Sequence, residues 1–158
     1  METKFQKLVT NPFLYRVYLL KNLPMAYIAG IRVPELNDER AVTTVKYGWL
    51  TQNPFRSMYF ACLAMAAEMS TGLLALNGIY NSKPPISMLI VKNNATYHKK
   101  AVGKITFVCP DGNLIKEAVS KAKTTGAGVE VITTSTGKDE TGDTVAEFTF
   151  TWSIKAKA

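Results

Sequence analysis

One carboxylate stands in the middle of the most apolar stretch of the chain. Between Arg56 and Lys83, Glu68 is the only residue that carries a formal charge. A carboxylate in apolar surroundings is costly unless a cation neutralises it or its chemistry is used. Burial would raise its pKa and suit it to act as a general base or a nucleophile. The alternative is a structural ion pair with Arg32, Arg40, Arg56 or a lysine, from the same chain or from a second copy.

Two polar residues just before this stretch are further candidates. Asn53 could orient a water molecule or a carbonyl group through its side-chain amide, or it could only form the turn before Pro54. Ser57 could contact a substrate, but as a nucleophile it would need a nearby base, and the chain has no Gly-x-Ser-x-Gly elbow. A role for Ser57 as the N-cap of the following helix is therefore the favoured interpretation.

Basic and sulfur-bearing side chains provide the remaining candidates. Lys99 and Lys100 could meet phosphate groups of a ligand, or they could form a solvated pair. His98 is the only histidine, and we interpret it as a surface residue at the end of a strand. Cys62 and Cys109 match no metal or redox spacing, so we expect two buried free thiols and no bound metal.

The element that positions Glu68 is predicted to be a helix from Ser57 to Gly78. This stretch has no proline and is rich in Ala, Leu and Met, which favour helices. About twenty helical residues span roughly 30 Å. A helix that is apolar on all sides is buried in a core or crosses a membrane. Glu68 at its middle argues against a membrane span, so we expect the helix at the centre of the fold.

The composition is typical of a globular protein. The 158 residues are 47% hydrophobic and 20% charged, with a formal net charge of +7. We expect one domain, residues 1–158, whose residues 1–12 are frayed. The charge is mostly scattered and is interpreted as support for solubility. Strand aromatics alternate inward, so we do not expect nucleic acid as a partner, and Glu68 within the apolar helix argues against a membrane. The lack of a signal peptide predicts a cytoplasmic location.

The remaining segments show helix and strand patterns in turn. A helix is predicted from Phe13 to Leu23, with Leu14 and Val17 at helical spacing. The run from Ile86 to Val91 is continuously apolar, which is typical of a strand covered on both faces. Further strands are predicted at Met25–Leu36, Arg40–Trp49, Gly103–Cys109, Gly126–Thr136 and Thr144–Ile154, and Asn113–Thr124 is an amphipathic helix or a helical excursion along a strand.

Together, the order of these elements and the segment around the apolar helix resemble the hotdog fold over nearly the whole chain. The likeness is to acyl-CoA thioesterases of the phenylacetate-pathway type, and is closest to a hotdog subfamily known as a domain of unknown function. In those thioesterases an Asn is followed at fixed spacing by a Gly, by His-Gly-Gly and by an acid. Here Asn53 takes the Asn position, Arg56 stands at the Gly, Tyr59–Ala61 stands at His-Gly-Gly, and Glu68 takes the acid position with the spacing intact.

The resemblance implies an α+β fold in which a curved antiparallel sheet wraps a central helix. It also implies a homodimer or homotetramer with sites at the subunit interface, and hydrolysis of an acyl-CoA thioester. No metal or redox cofactor is implied, since coenzyme A is part of the substrate. The alternative is a non-catalytic protein that binds an acyl group or acyl-CoA. The site residues implied are Glu68 and Asn53 as catalytic groups, Ser57, Tyr59, Phe60 and Ala61 for the oxyanion and substrate, and Lys99 and Lys100 for the coenzyme A phosphates.

Overall fold

Helices and strands alternate irregularly along the chain, with three short helices before the first strand. A computed structural model describes residues 3–157. The helices are α1 (Lys4–Thr10), α2 (Pro12–Asn22), α3 (Pro24–Ile28), α4 (Phe60–Ile79) and α5 (Gly112–Thr125). The strands are β1 (Arg32–Leu36), β2 (Ala41–Lys46), β3 (Ile86–Tyr97), β4 (Lys104–Cys109), β5 (Val129–Lys138) and β6 (Thr144–Ala156).

The strands form one antiparallel sheet in the order β1-β2-β4-β5-β6-β3. α4 lies against its inner face and contacts β2, β4, β5 and β6. Along β4, Ile105, Phe107 and Cys109 point inward and are buried, while the residues between them point outward. Cys62 and Cys109 are buried free thiols, as predicted. A sheet around a central helix is the expected hotdog arrangement, and the predicted α+β fold class is confirmed.

The central helix is present but begins later than predicted. α4 starts at Phe60, and its N-cap is Tyr59, whose side chain makes no capping hydrogen bond. The interpretation of Ser57 as the N-cap is therefore wrong, because Ser57 is buried in the preceding loop. α4 is the helix within residues 3–157 that is long and apolar enough to cross a membrane, but most of it is buried by the sheet.

The N-terminal segment is helical where the structure describes it, so the prediction that residues 1–12 are frayed is wrong for residues 3–12. Residues 1 and 2 lie outside the described residues. Thr3 and Gln6 form a capping box: Thr3 Oγ1 accepts from the Gln6 N–H at 3.1 Å, and Gln6 Oε1 accepts from the Thr3 N–H at 2.8 Å. Phe5 and Val9 are buried in the core, which attaches α1 to the sheet beside β1.

Several predicted elements are correct in type but differ in extent or exposure. The predicted strand from Met25 is wrong at its start, because α3 occupies Pro24–Ile28 and only Arg32–Leu36 pairs in the sheet. α5 shows that the amphipathic segment is a helix, not an excursion along a strand.

The burial of two segments differs from what their patterns suggest. In α2, Tyr15 and Leu19 are buried, whereas Leu14 and Val17 are exposed. β3 is an edge strand that pairs with β6. The prediction that this strand is covered on both faces is wrong for the chain by itself, because Leu89 is 65% exposed.

Candidate functional site

The loop between β2 and α4 (residues 47–59) carries Asn53. The side-chain oxygen Oδ1 of Asn53 accepts from the Phe55 N–H at 2.9 Å, and its Nδ2 donates to the Met58 carbonyl oxygen at 3.2 Å. The buried Ser57 hydroxyl also lies within hydrogen-bonding distance of this amide. Both ends of the amide are therefore used inside the loop, and in this structure Asn53 and Ser57 shape the approach to α4.

Arg56 occupies the position at which the thioesterase motif has a glycine. Its φ is 57°, in the left-handed region where a side chain is costly and glycine is favoured. The loop turns at this residue, in a conformation that glycine adopts without strain. No ion pair joins Arg56 to Glu68 in the described chain, so this pairing is not formed within one copy.

The first turn of α4 presents backbone donors. The Tyr59 N–H donates to the Thr51 carbonyl at 2.7 Å, and the Cys62 N–H donates to the Tyr59 carbonyl at 2.9 Å. Within residues 3–157, the N–H groups of Phe60 and Ala61 have no acceptor. Such groups at a helix N-terminus favour an oxygen that gains negative charge. The arrangement can therefore polarise a carbonyl group.

A cavity of about 500 Å³ lies in front of this end of α4. The loop and the end of β3 form its walls. Tyr97 packs edge-on against Phe60, with 6.4 Å between the ring centroids. His98 also lines the cavity, and its Nε2 lies 2.9 Å from Glu147 Oε2 at the surface, which agrees with its interpretation as an exposed residue at a strand end.

The two lysines beside this cavity have different surroundings. Lys99 Nζ lies 2.7 Å from a carboxylate oxygen of Asp139 and 2.8 Å from one of Asp143, and these contacts lower the pKa of both carboxyl groups. Lys100 Nζ lies 3.4 Å from the Phe55 carbonyl oxygen and makes no ion pair in the part of the chain that is described. Lys99 is thus neutralised by the β5–β6 turn, whereas the charge of Lys100 is not compensated within the described residues.

Glu68 lies further along the same helix, eight residues beyond Phe60, or about 12 Å at 1.5 Å per residue. Its side chain is half-buried, and burial raises the pKa of its carboxyl group. No lysine or arginine described by the structure lies within ion-pair distance of it. The carboxylate therefore has no compensating cation within one chain. Its oxygen Oε1 lies close to Gly72, one turn later, where an added Cβ would stand only 2.8 Å away.

Glu68 borders two small cavities of about 200 and 210 Å³. Met69 lines both, and Tyr15, Tyr18 and Trp152 line the first. The Tyr15 hydroxyl donates to the sulfur of Met69 at 3.1 Å, and burial raises the pKa of Tyr15 above its ordinary value. The surroundings of the carboxylate are thus aromatic and sulfur-rich.

The residues of α2 that border Glu68 were missed by sequence reasoning. A signal was present, because Tyr15, Tyr18 and Leu19 lie at i, i+3 and i+4 and share one helical face. That face is the buried one, with Tyr18 only partly covered.

Within one chain, the two parts of the expected site remain separate. The residues that line the cavity at the start of α4 do not line either Glu68 cavity. Phe60 and Glu68 are about 12 Å apart along the helix. This distance exceeds the hydrogen-bond reach of about 3 Å over which a base and a donor can act on one group. Within one chain, the backbone donors and the Glu68 carboxylate therefore cannot act on the same group.

Solved structures with the same architecture were found by comparison. A protein of unknown function from Pseudomonas aeruginosa, described as a probable thioesterase, is 20% identical, with a TM-score of 0.78 over 92% of this chain and 97% of that one. A protein of unknown function from Chlorobaculum tepidum is 12% identical, with a TM-score of 0.75 and coverages of 94% and 99%. A thioesterase from Haemophilus influenzae is 14% identical, with a TM-score of 0.65 and coverages of 89% and 88%.

Because the sequence identities are low, these likenesses show the fold alone. No curated protein matches the chain. A family described as a domain of unknown function, DUF4442, matches residues 14–154. That range covers the sheet, the central helix and both halves of the candidate site. The chain therefore belongs to the DUF4442 family, a domain of unknown function with the hotdog fold.

Proposed function

We propose that this protein hydrolyses acyl-CoA thioesters at a site shared between two copies of the chain, with Glu68 as the general base. The observation that carries the proposal is the state of Glu68: a half-buried carboxylate with a raised pKa, no cation partner within residues 3–157, and two cavities beside it. A base whose pKa lies closer to neutrality accepts a proton more effectively. The thioesterase descriptions of structural neighbours agree with this chemistry.

In the proposed mechanism, Glu68 of one copy faces the first turn of α4 of the other. The thioester carbonyl accepts hydrogen bonds from the N–H groups of Phe60 and Ala61. Glu68 takes a proton from water as the water oxygen bonds to the carbonyl carbon. The tetrahedral intermediate then expels the thiolate, which receives the proton from Glu68. The products are a carboxylic acid and coenzyme A.

Substrate contacts follow from the surroundings of each half. Lys100, which makes no ion pair within the described residues, stands beside the cavity at the start of α4 and is placed to meet a phosphate. Met69 lines both cavities at Glu68, and Tyr18 and Trp152 line the first; we assign these cavities to the acyl group. Asn53 acts by holding the loop that presents the donors, since its amide is engaged there.

The first test is thiol release from acyl-CoAs of short, medium and long chain and with aryl groups. We expect Glu68→Gln to lower turnover by about a hundredfold or more, the size typical of a positioned base. Glu117→Gln is the matched control, because Glu117 is an exposed acid on α5. Equal turnover by wild type and Glu68→Gln would refute the role of Glu68.

A mixing experiment tests the shared site. Ala61→Asp places a negative charge where the oxyanion would form, while an acid in the first helical turn does not destabilise the helix. Each variant alone should be inactive. Subunit exchange between Glu68→Gln and Ala61→Asp should restore about a quarter of wild-type activity, because half of the dimers are mixed and each has one intact site. No recovery despite demonstrated exchange would contradict a site built from two copies.

The alternative is a protein that binds acyl-CoA without hydrolysing it. The observation that favours it is the presence of two aromatic rings, Tyr59 and Phe60, next to the backbone donors where the thioesterase motif has less bulky residues. Wild type that is inert across the panel, yet shifts its melting temperature with acyl-CoA, would replace the hydrolase proposal with this one.

A further inference from the structure

A cavity of about 800 Å³ lies between α1, α2 and the strands β1, β2 and β4. Its sheet wall includes Thr44 and Thr106, which alternate with residues buried beneath α4. Thr43 points the other way, and its hydroxyl donates to a backbone carbonyl of α4 at 2.7 Å. The cavity thus opens on the opposite face of the sheet from α4. Among the described residues, Tyr15 alone lines both this cavity and one at Glu68.

Three cations and no carboxylate line this cavity: Arg16, Arg32 and Lys104. None of them forms an ion pair within residues 3–157. Arg16 is held in place by the Tyr27 ring, 3.9 Å from the guanidinium carbon, and by a hydrogen bond to the Tyr27 carbonyl at 3.3 Å. The Glu140 carboxylate accepts from the backbone N–H of Lys104 at 3.2 Å, not from its ammonium group. The positive charge of the cavity is therefore not compensated.

The sequence around this cavity is also positively charged. Residues 3–34 contain five lysines and arginines and no acid. Uncompensated cations that converge on one cavity favour an anion, and guanidinium groups suit carboxylates and phosphates in particular.

The remaining wall of the cavity is apolar. Val9, Ile31 and Val33 are buried at its floor, and Phe13, which is 75% exposed, stands at its rim. A small hydrophilic anion would leave this surface unused, and a neutral hydrocarbon would leave the cations unused. Ligand cavities of about 300–1,000 Å³ with a few convergent polar groups hold molecules of this mixed character.

We propose that this cavity binds a single-chain amphiphile whose anionic head group, a carboxylate or a phosphate, meets Arg16, Arg32 and Lys104. The apolar tail covers Val9 and Ile31 and passes Phe13 at the rim. This cavity is separate from the proposed hydrolytic site, so an experiment can refute either proposal without refuting the other.

The experiment is calorimetric titration of the full chain with dodecanoate, dodecyl phosphate and dodecyltrimethylammonium, each below its micelle concentration. We expect the two anions to bind and the cation not to bind. The double variant Arg32→Gln/Lys104→Gln should weaken anion binding on the order of tenfold, since hydrogen bonds to charged groups are lost. Comparing the two anions shows whether the head group is a carboxylate or a phosphate.

Two control variants test whether the anions bind at this cavity. Lys116→Gln/Lys121→Gln removes the same charge from the exposed face of α5 and should leave binding unchanged. Glu68→Gln should also leave it unchanged, whatever its effect on hydrolysis. The proposal is overturned if the ammonium amphiphile binds as tightly as the anions, if the Arg32/Lys104 variant binds like wild type, or if Glu68→Gln alone abolishes binding.

Discussion

Replacing Gly72 by alanine tests the position of the Glu68 carboxylate. An added Cβ would lie 2.8 Å from Glu68 Oε1 and 3.4 Å from the nearest ring atoms of Trp152. Alanine gains about 1 kcal/mol over glycine in a helix interior. The crowded oxygen sits at the end of a flexible side chain, so the steric cost is expected at the low end of overpacking, about 1 kcal/mol. The stability of Gly72→Ala should therefore be close to that of wild type.

The gain in helix propensity and the steric cost can be measured separately when Glu68 is shortened. In a Glu68→Ala background the crowding is gone, and Gly72→Ala should raise the free energy of unfolding by about 1 kcal/mol. The contact with Trp152 is present in both backgrounds, so it does not contribute to the difference between them. The expected coupling between Gly72 and Glu68 is thus on the order of 1 kcal/mol, within the range for side chains in contact.

Urea unfolding of the four proteins measures this coupling, provided that the slope with denaturant is constant. Gly78→Ala is the matched control, because Gly78 is also on α4 but its added Cβ would meet Ile115. Its coupling with Glu68→Ala should stay within about 0.3 kcal/mol, as for distant sites. A coupling that small for Gly72 would show that the Glu68 carboxylate does not lie against it. Activity adds a second readout. If the proposed base Glu68 is displaced, the turnover of Gly72→Ala should fall on the order of tenfold or more.

Three further predictions concern stability. Thr3→Ala removes one half of the capping box of α1 and should cost about 1 kcal/mol in urea unfolding, whereas an unchanged midpoint would mean that α1 does not contribute to the measured transition. Arg56→Gly should be more stable than Arg56→Ala by about 1 kcal/mol, because only glycine accepts a φ of 57° without strain; equal stability would contradict this loop conformation. Burial raises the pKa of Glu68, so the folded state binds the proton more tightly than the unfolded state. The Glu68 contribution to the free energy of unfolding therefore falls as pH rises from the ordinary carboxyl pKa to the raised one, and levels off above it. The stability of Glu68→Gln relative to wild type should rise over the same pH window, and a difference that is independent of pH would refute the burial.

The parts of the fold that depend on strong periodic patterns could be predicted from the sequence. α4 has no polar face, so its place at the centre of the fold followed from its composition. From Ala146 onward, β6 alternates between buried and more exposed residues, and a residue period of two directly indicates a half-buried strand. The hotdog arrangement came from the resemblance, since order and patterning alone do not specify how the strands pair.

The remaining errors have physical causes. In α2 apolar or aromatic residues stand on more than one face, so the shared face of Tyr15, Tyr18 and Leu19 does not stand out from the face with Leu14. Residues 25–31 read as a strand because apolar residues dominate, but Pro24 at the first helical position starts a short helix. Similarly, Thr3 with Gln6 was a capping-box signal that the basic character of the segment obscured.

The spacing of the candidate site could be read from the sequence, whereas the expectation that two copies of the chain share the site came only from the resemblance. Asn53, Phe60 and Glu68 keep the spacing of the motif, yet a helix converts that spacing into a distance of about 12 Å between the donors and the acid. Contacts between copies of a chain leave no mark on residue spacing. The engagement of Lys99 with two aspartates of a distant turn was equally invisible, because long-range partners depend on the sheet register.

The change from His-Gly-Gly to Tyr59–Ala61 alters the wall of the cavity and leaves the backbone donors in place. Backbone N–H groups are available where a helix begins, and here the Asn53 hydrogen bonds and the left-handed Arg56 set that point. Because these contacts do not involve the side chains at positions 59–61, the donors persist when those side chains change. What the aromatic residues alter is the cavity wall, where Phe60 packs on Tyr97. Phe60→Gly at matched folding should therefore broaden the range of acyl-CoAs that bind, as measured by thermal shift across the same panel, and an unchanged binding profile would show that the ring does not border the ligand.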